Sequence, residues 1–171
     1  KHGIRSHLCD LSSSPDSLAT RLIHGHQTFR AQWLGPVSGG NFISLHDWIL
    51  ADAEPTGDLI LQMDIEGAEW EVLLETPLDT LSRFRIIVVE LHWVASKFLS
   101  PTARREVLAP LVDRLDERFS VIHAHPNNCC GQKYVPSLST TVPNILEVTL
   151  LRKDRIETSD SSKRFPPATP H

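Results

Sequence analysis

The chain has 171 residues, 40 % of them apolar and 22 % charged, which is the balance of a soluble globular protein and excludes a disordered, collagenous or coiled-coil chain. The length suits one domain, or a large part of one, rather than two. With 17 Lys and Arg against 21 Asp and Glu the net charge is -4, and basic residues fall in short groups such as Arg104-Arg105 and Arg152-Lys153, so no nucleic-acid partner is expected.

The longest strongly apolar stretches, around Leu59 to Met63 and Ile86 to Val89, are strand-sized and too short for a membrane span. A soluble domain is expected, with the cytoplasm as its default compartment. The chain opens without an initiator Met, so a targeting segment upstream of Lys1 stays open. Of the three cysteines, Cys129 and Cys130 are adjacent, a spacing poorly suited to bridging each other, and no disulfide framework is expected.

Ile4 to Cys9 reads as a short strand ending at Asp10. Ser14 and Pro15 then suit the start of a helix whose inward stripe would be Leu18, Leu22 and Ile23, up to Gly25. Thr28 to Leu34 reads as another strand, closed by the turn-rich run from Gly35 to Gly40. Ser44 with Asp47 forms an imperfect capping box before a short helix that buries Leu45, Trp48 and Ile49.

GDLILQMDIEGAEWEVLL carries most of the information. Leu59, Ile60, Leu61 and Met63 give a strand with apolar residues at successive positions, which predicts burial on both faces, as in a parallel strand covered by helices. Asp64 marks its carboxyl end, Gly67 permits a tight exit, and a helix through Leu74 runs to Pro77. Ile86 to Val89 repeats the pattern and ends in Glu90, Leu91 and His92. A helix from Pro101 follows, bent near Pro110, and then a strand over Phe119 to Ala124. His125 to Val142 is long for a loop. Ile145 to Leu151 alternates and reads as an antiparallel strand at the sheet edge. Beyond it the chain turns polar, and Asp160 to His171 lacks any periodicity. The order predicts an α/β three-layer sandwich around a mainly parallel sheet.

In open α/β sheets ligands bind beyond the carboxyl ends of the strands, which places Asp10, the Asp64-Ile65-Glu66 group, Glu90-Leu91-His92, and His125 with Asn127 and Asn128 at one rim. Each also has a plain structural reading: Asp10 and the two Asn as turn formers, Asp64 and Glu66 as helix caps, His92 bonded to a backbone carbonyl. His92 can serve as a base, because imidazole titrates near neutrality. Zinc at His123, His125, Cys129 and Cys130 lacks an established ligand spacing. A hard divalent ion at Asp64, Glu66 and an Asn oxygen is chemically sensible, but no metal is assigned.

In DIEGAEW and the following IIVVELH the chain resembles the FkbM-like branch of the S-adenosylmethionine-dependent methyltransferases. The likeness extends more loosely from about His2 to Asp154, through HAHPNNCC and ILEVTLLRKD. It implies a class I methyltransferase fold, Rossmann-like, with S-adenosylmethionine across the carboxyl edge of a seven-stranded sheet. By resemblance Asp10 would hold the donor's ribose with Leu11 beside it, and Ser38 to Asn41, including Gly40 and Asn41, would approach the adenine. Asp64 would lie near donor and acceptor, and His92 would be the residue after the fifth strand. Glu66 and Glu69 belong to the family core without an assigned step. His125, Asn127 and Asn128 would form the acceptor side.

Such enzymes carry a first strand and a glycine-rich loop before the acidic second-strand end. Here only nine residues precede Asp10 and no G-x-G occurs, so residues 1–154 are expected to be the C-terminal major part of a domain, followed by a tail over 155–171. The reaction expected is O-methylation of a small hydroxylated or sugar-like acceptor, with Asp64 or His92 taking the proton. A catalytically inactive binding or scaffold module is the alternative, and a different α/β transferase the third option.

Overall fold

The structure, a computed structural model, describes residues 4–127 and 129–156. Asn128 lies outside them, as does the expected tail beyond Ile156. In chain order β1 (Ser6–Cys9), a 3-10 turn (Pro15–Ser17), β2 (Gln27–Arg30), β3 (Trp33–Gly35), β4 (Phe42–Ser44) and α1 (Leu45–Asp52) lead to β5 (Leu59–Met63). Next come α2 (Glu69–Glu75), α3 (Leu78–Leu81), β6 (Phe84–Leu91), α4 (Val94–Leu99) and α5 (Pro101–Ala103), which passes through a π-helical turn (Arg104–Leu108) into α6 (Ala109–Asp116). β7 (Phe119–Pro126), the hairpin of β8 (Gln132–Val135) and β9 (Thr140–Pro143), β10 (Leu146–Arg152) and a 3-10 turn (Lys153–Arg155) follow.

The main sheet is four-stranded in the order β5-β6-β10-β7. β5 and β6 pair in parallel, while β10 runs antiparallel to both β6 and β7, so β5, β6 and β7 all point the same way. The result is a mixed α/β chain whose principal sheet is mostly parallel. Three two-stranded sheets accompany it, β1 with β2, β3 with β4, and β8 with β9.

The expected edge strand is not at the edge. β10 pairs on both sides, and β7, exposed along most of its length, is the border instead. The alternation of Leu146, Val148 and Leu150 reports which sheet face is covered; hydrogen bonding lies at right angles to that and leaves no mark on the side-chain period.

β5 also departs from expectation. Leu61 and Met63 are buried, but Ile60 is 68 % exposed and Gln62 is exposed as well. Ile60 lines a slot of about 500 Å³ between β1 and β5, together with Ile4, His7, Leu45 and Trp48. Among the described residues β1 pairs only with β2 and β5 only with β6, so the strand edges facing this slot have no partner.

The helix expected after Ser14 is reduced to the 3-10 turn, with Ser14 and Ser17 bonding reciprocally, and Ile23 is exposed. A short amphipathic segment needs a surface to pack its stripe against, and Ile23 finds none. α1 forms where expected. Ser44 Oγ accepts from the Asp47 backbone N–H at 3.1 Å, but the Ser44 N–H goes to Ser38 Oγ at 2.8 Å rather than to the Asp47 carboxylate. α2 and α3 bury Trp70, Val72, Leu73 and Leu81 against Ile87 and Val89 of β6. Pro110 falls in the first turn of α6, and the irregularity sits just ahead of it in the π-helical turn, because proline brings no N–H to the helical ladder. The long stretch after His125 contains the β8-β9 hairpin.

Candidate functional site

Because β5 and β6 run in parallel, the residues that follow them leave the sheet on one side. The exit from β5 is tight: Glu66 has φ 57° and Gly67 φ 114°. A side chain at Gly67 would meet the Trp93 indole, since a Cβ built there falls 2.8 Å from Trp93 Nε1. Trp93 itself sits in the left-handed region at φ 61°, directly after His92 and ahead of α4, and is 58 % exposed. Glu66 and Trp93 thus both take the left-handed region, one after the end of β5 and one after the end of β6.

His92 is 4 % exposed. The Trp70 indole donates to its backbone carbonyl at 2.7 Å, tying the end of β6 to α2. Glu69, on α2 and fully buried, accepts through Oε1 from the backbone N–H groups of Ile65 and Gly67 at 2.9 and 3.1 Å. The same oxygen lies 3.0 Å from His92 Nδ1. A carboxylate oxygen so placed can only accept, so Nδ1 carries the hydrogen and Nε2 is the nitrogen left to act. Nε2 faces Glu66 Oε2 at 3.4 Å, Glu90 Oε1 at 3.5 Å and Asp64 Oδ1 at 3.9 Å. Asn127 joins from the end of β7, donating through Nδ2 to Glu90 Oε2 at 3.2 Å.

Asp64 also faces the other way. With Asp10, Met63 and Ile65 it lines a cleft of about 230 Å³ between the ends of β1 and β5. Asp10 Oδ1 accepts from the Ser12 backbone N–H and from Ser12 Oγ, each at 2.7 Å. Chiefly that hydroxyl bond holds the carboxyl below its ordinary range, so Asp10 is an ionised acceptor at the cleft mouth. The turn-former reading of Asp10 and its place at the cleft therefore both hold.

Asp64, His92 and Asn127 thus come together, and Asp10 shares the cleft with Asp64. Other expected positions lie apart. Gly40, at φ 56°, and Asn41, whose carbonyl accepts from Trp33 N–H at 2.8 Å, belong to the turn before β4, and neither lines either cleft; Leu11 lines neither as well. His125 stacks on His123 on the exposed border strand, ring centroids 6.3 Å apart. Cys129 and Cys130 are exposed thiols. Among the described residues the metal-ligating side chains that gather are Asp64, Glu69 and His92, not the His/Cys set.

Two residues gained meaning only from the structure. Glu69 turned out to be the group that fixes the imidazole, and its signal was its phase: it shares a helix face with Val72 and Leu73, so a carboxylate there had to be buried and satisfied. Glu90 ends a buried strand and needed a polar neighbour, which Asn127 supplies.

Comparison with known protein families adds the decisive observation: residues 43–125 match the family described as Methyltransferase FkbM domain. Over those residues the chain is FkbM-like. The matched span contains the DIEGAEW segment, Glu90, His92 and Trp93, and the cluster just described is therefore the part of this FkbM-like chain that the match covers, while Asp10 and Asn127 lie outside it. That match points to methyltransferase activity. Comparisons with curated proteins and with solved structures returned no match. Among the described residues no helix is long and apolar enough to cross a membrane.

Proposed function

We propose that this FkbM-like chain is an S-adenosylmethionine-dependent O-methyltransferase acting on a small hydroxylated or sugar-like acceptor, with the three-layer class I architecture its family likeness implies. The observation that carries the reading is the shared cleft of Asp10 and Asp64 at the ends of β1 and β5, with His92 one strand further along the same rim. A sulfonium donor supplies an electrophilic methyl group, and what remains for the protein is to align an oxygen in line with it and to exclude water.

In this reading Asp10 receives the ribose hydroxyls of the donor. An ionised carboxylate at the cleft mouth fits neighbouring hydroxyl donors, which supports that placement. The slot between β1 and β5 is the place for the strand and glycine-rich turn that the likeness implies. The acceptor lies over Asp64, His92 and Asn127, with His125 on its outer side. As the new O–CH3 bond forms and the S–CH3 bond breaks, the hydroxyl proton passes to His92 Nε2 or to Asp64. Glu69 is the positioning residue that keeps the Nε2 lone pair directed at the rim.

The test is calorimetric titration with S-adenosylmethionine of the wild type and of Asp10→Ala. Wild-type binding that weakens about tenfold or more, the equivalent of about 1.4 kcal/mol, supports the donor site. Equal affinities would reject Asp10 as the ribose acceptor, and no binding by either protein would favour a scaffold module.

A further inference from the structure

We infer that the pocket around His92 Nε2 binds a divalent transition-metal ion, with His92 Nε2, Glu90, Glu66 and Asp64 as the ligand set and Glu69 behind the imidazole. Three features lead there. The first is charge: four carboxylates, those of Asp64, Glu66, Glu69 and Glu90, approach one imidazole at 3.0 to 3.9 Å, and among the described residues no Lys or Arg is paired with any of them.

The second is the buried imidazole. His92 is more than nine-tenths buried, its Nδ1 is committed to Glu69, and Nε2 is aimed at three carboxylates without forming a hydrogen bond among the described residues. Behind it Glu69 Oε2 is also buried, without a partner among the described residues. A ring nitrogen backed by a carboxylate on its other nitrogen is the arrangement that orients metal-bound histidine and raises its basicity.

The third is spacing. Ligands about 2.1 Å from an ion stand roughly 3.0 to 3.4 Å apart at right-angled and tetrahedral positions. Nε2 lies 3.4 Å from Glu66, 3.5 Å from Glu90 and 3.9 Å from Asp64, and the ligand atoms of Asp64, Glu69 and His92 lie within 4.8 Å of one another. One imidazole with several carboxylates selects the manganese-to-zinc range over calcium or magnesium, which prefer oxygen alone.

This site stands on its own geometry and extends beyond the methyl-transfer reading. A bound ion occupies the lone pair on Nε2, so in the loaded protein His92 is a ligand rather than a base. The ion then lowers the pKa of an acceptor hydroxyl that reaches it.

The test is cobalt(II) titration of the whole chain with neither methyl donor nor acceptor present, followed by equilibrium dialysis and by the visible absorption of the bound ion. One ion per chain is expected. His92→Gln and Glu90→Gln should each weaken binding tenfold or more, and Glu69→Gln by about 10–100-fold, as for other groups that orient a ligand from behind. Circular dichroism confirms folding of each variant, and Glu90→Gln carries the test if His92→Gln does not fold. No bound cobalt at millimolar concentration overturns the inference. Binding that the folded variants leave within about twofold overturns it too, because the ion then sits on exposed carboxylates elsewhere. Loss of donor binding in Asp10→Ala reads out the other hypothesis separately.

Discussion

Trp70 joins the core to the site, and Trp70→Phe tests whether that link carries energy. The indole is 1 % exposed, and its Nε1 donates to the His92 carbonyl at 2.7 Å. Phenylalanine keeps the apolar contact with β6 but removes this donor, and a buried carbonyl deprived of its partner costs about 1–3 kcal/mol. The space left by the smaller ring adds about 1 kcal/mol, for a total of about 2–4 kcal/mol. Urea unfolding followed by far-UV circular dichroism measures this directly, with the denaturant slope unchanged if both states keep their extent. A loss below about 0.5 kcal/mol at constant slope would refute the reasoning, because neither the hydrogen bond nor the packing would then be contributing.

Two further outcomes test other parts of the fold. Arg152 first, and Arg155 with it, hold the Asp58 carboxyl below its ordinary range. The folded value lies below the unfolded one, so this stabilisation is complete above the ordinary carboxylate range and is lost as the pH falls through the folded value. Asp58→Asn should therefore be less stable than wild type at neutral pH and converge with it in acid, as thermal melts across the pH series will read; a constant difference at every pH would contradict the pairing. Gly67→Ala should cost about 1–3 kcal/mol, since its φ of 114° disfavours a side chain and the new methyl would strike the Trp93 ring; an unchanged melting temperature would remove both arguments.

The strands that carry the rim were legible as runs of apolar residues, and their shared direction followed from the helices between them. What the runs did not carry was lateral order. Ile60 fits the pattern of a doubly buried strand, yet it faces the slot beside β1, because hydropathy records the environment a residue favours and not the neighbour present beside it. β10 was placed on the border for the related reason that strand pairing is made by the backbone. The helix after Ser14 failed for lack of a packing surface, which no local pattern contains.

At the site, Asp64 and His92 were readable because polar residues that end buried runs stand out. The sequence put Glu69 inside a motif but could not say that its carboxylate would meet a histidine 23 positions later; that needs the register of β5 on β6 and the turn at Gly67. His125 and the two Asn were drawn together by proximity in sequence. His125 lies on the exposed length of β7, while Asn127, past the strand end, turns in toward Glu90.

Consider finally the order in which the chain is made. β7 precedes β10 by some twenty residues, and its only strand neighbour among the described residues is β10, which also seals the far side of β6. Until β10 leaves the ribosome, the border carrying Val121 and Ile122 hangs without a hydrogen-bonded companion, and Asn127 has no backbone carbonyl at Ile145 to anchor it. Assembly of this half must therefore wait for β10. A chain stopped before Leu146 would release an adhesive, half-built sheet, a natural substrate for chaperones or for clumping.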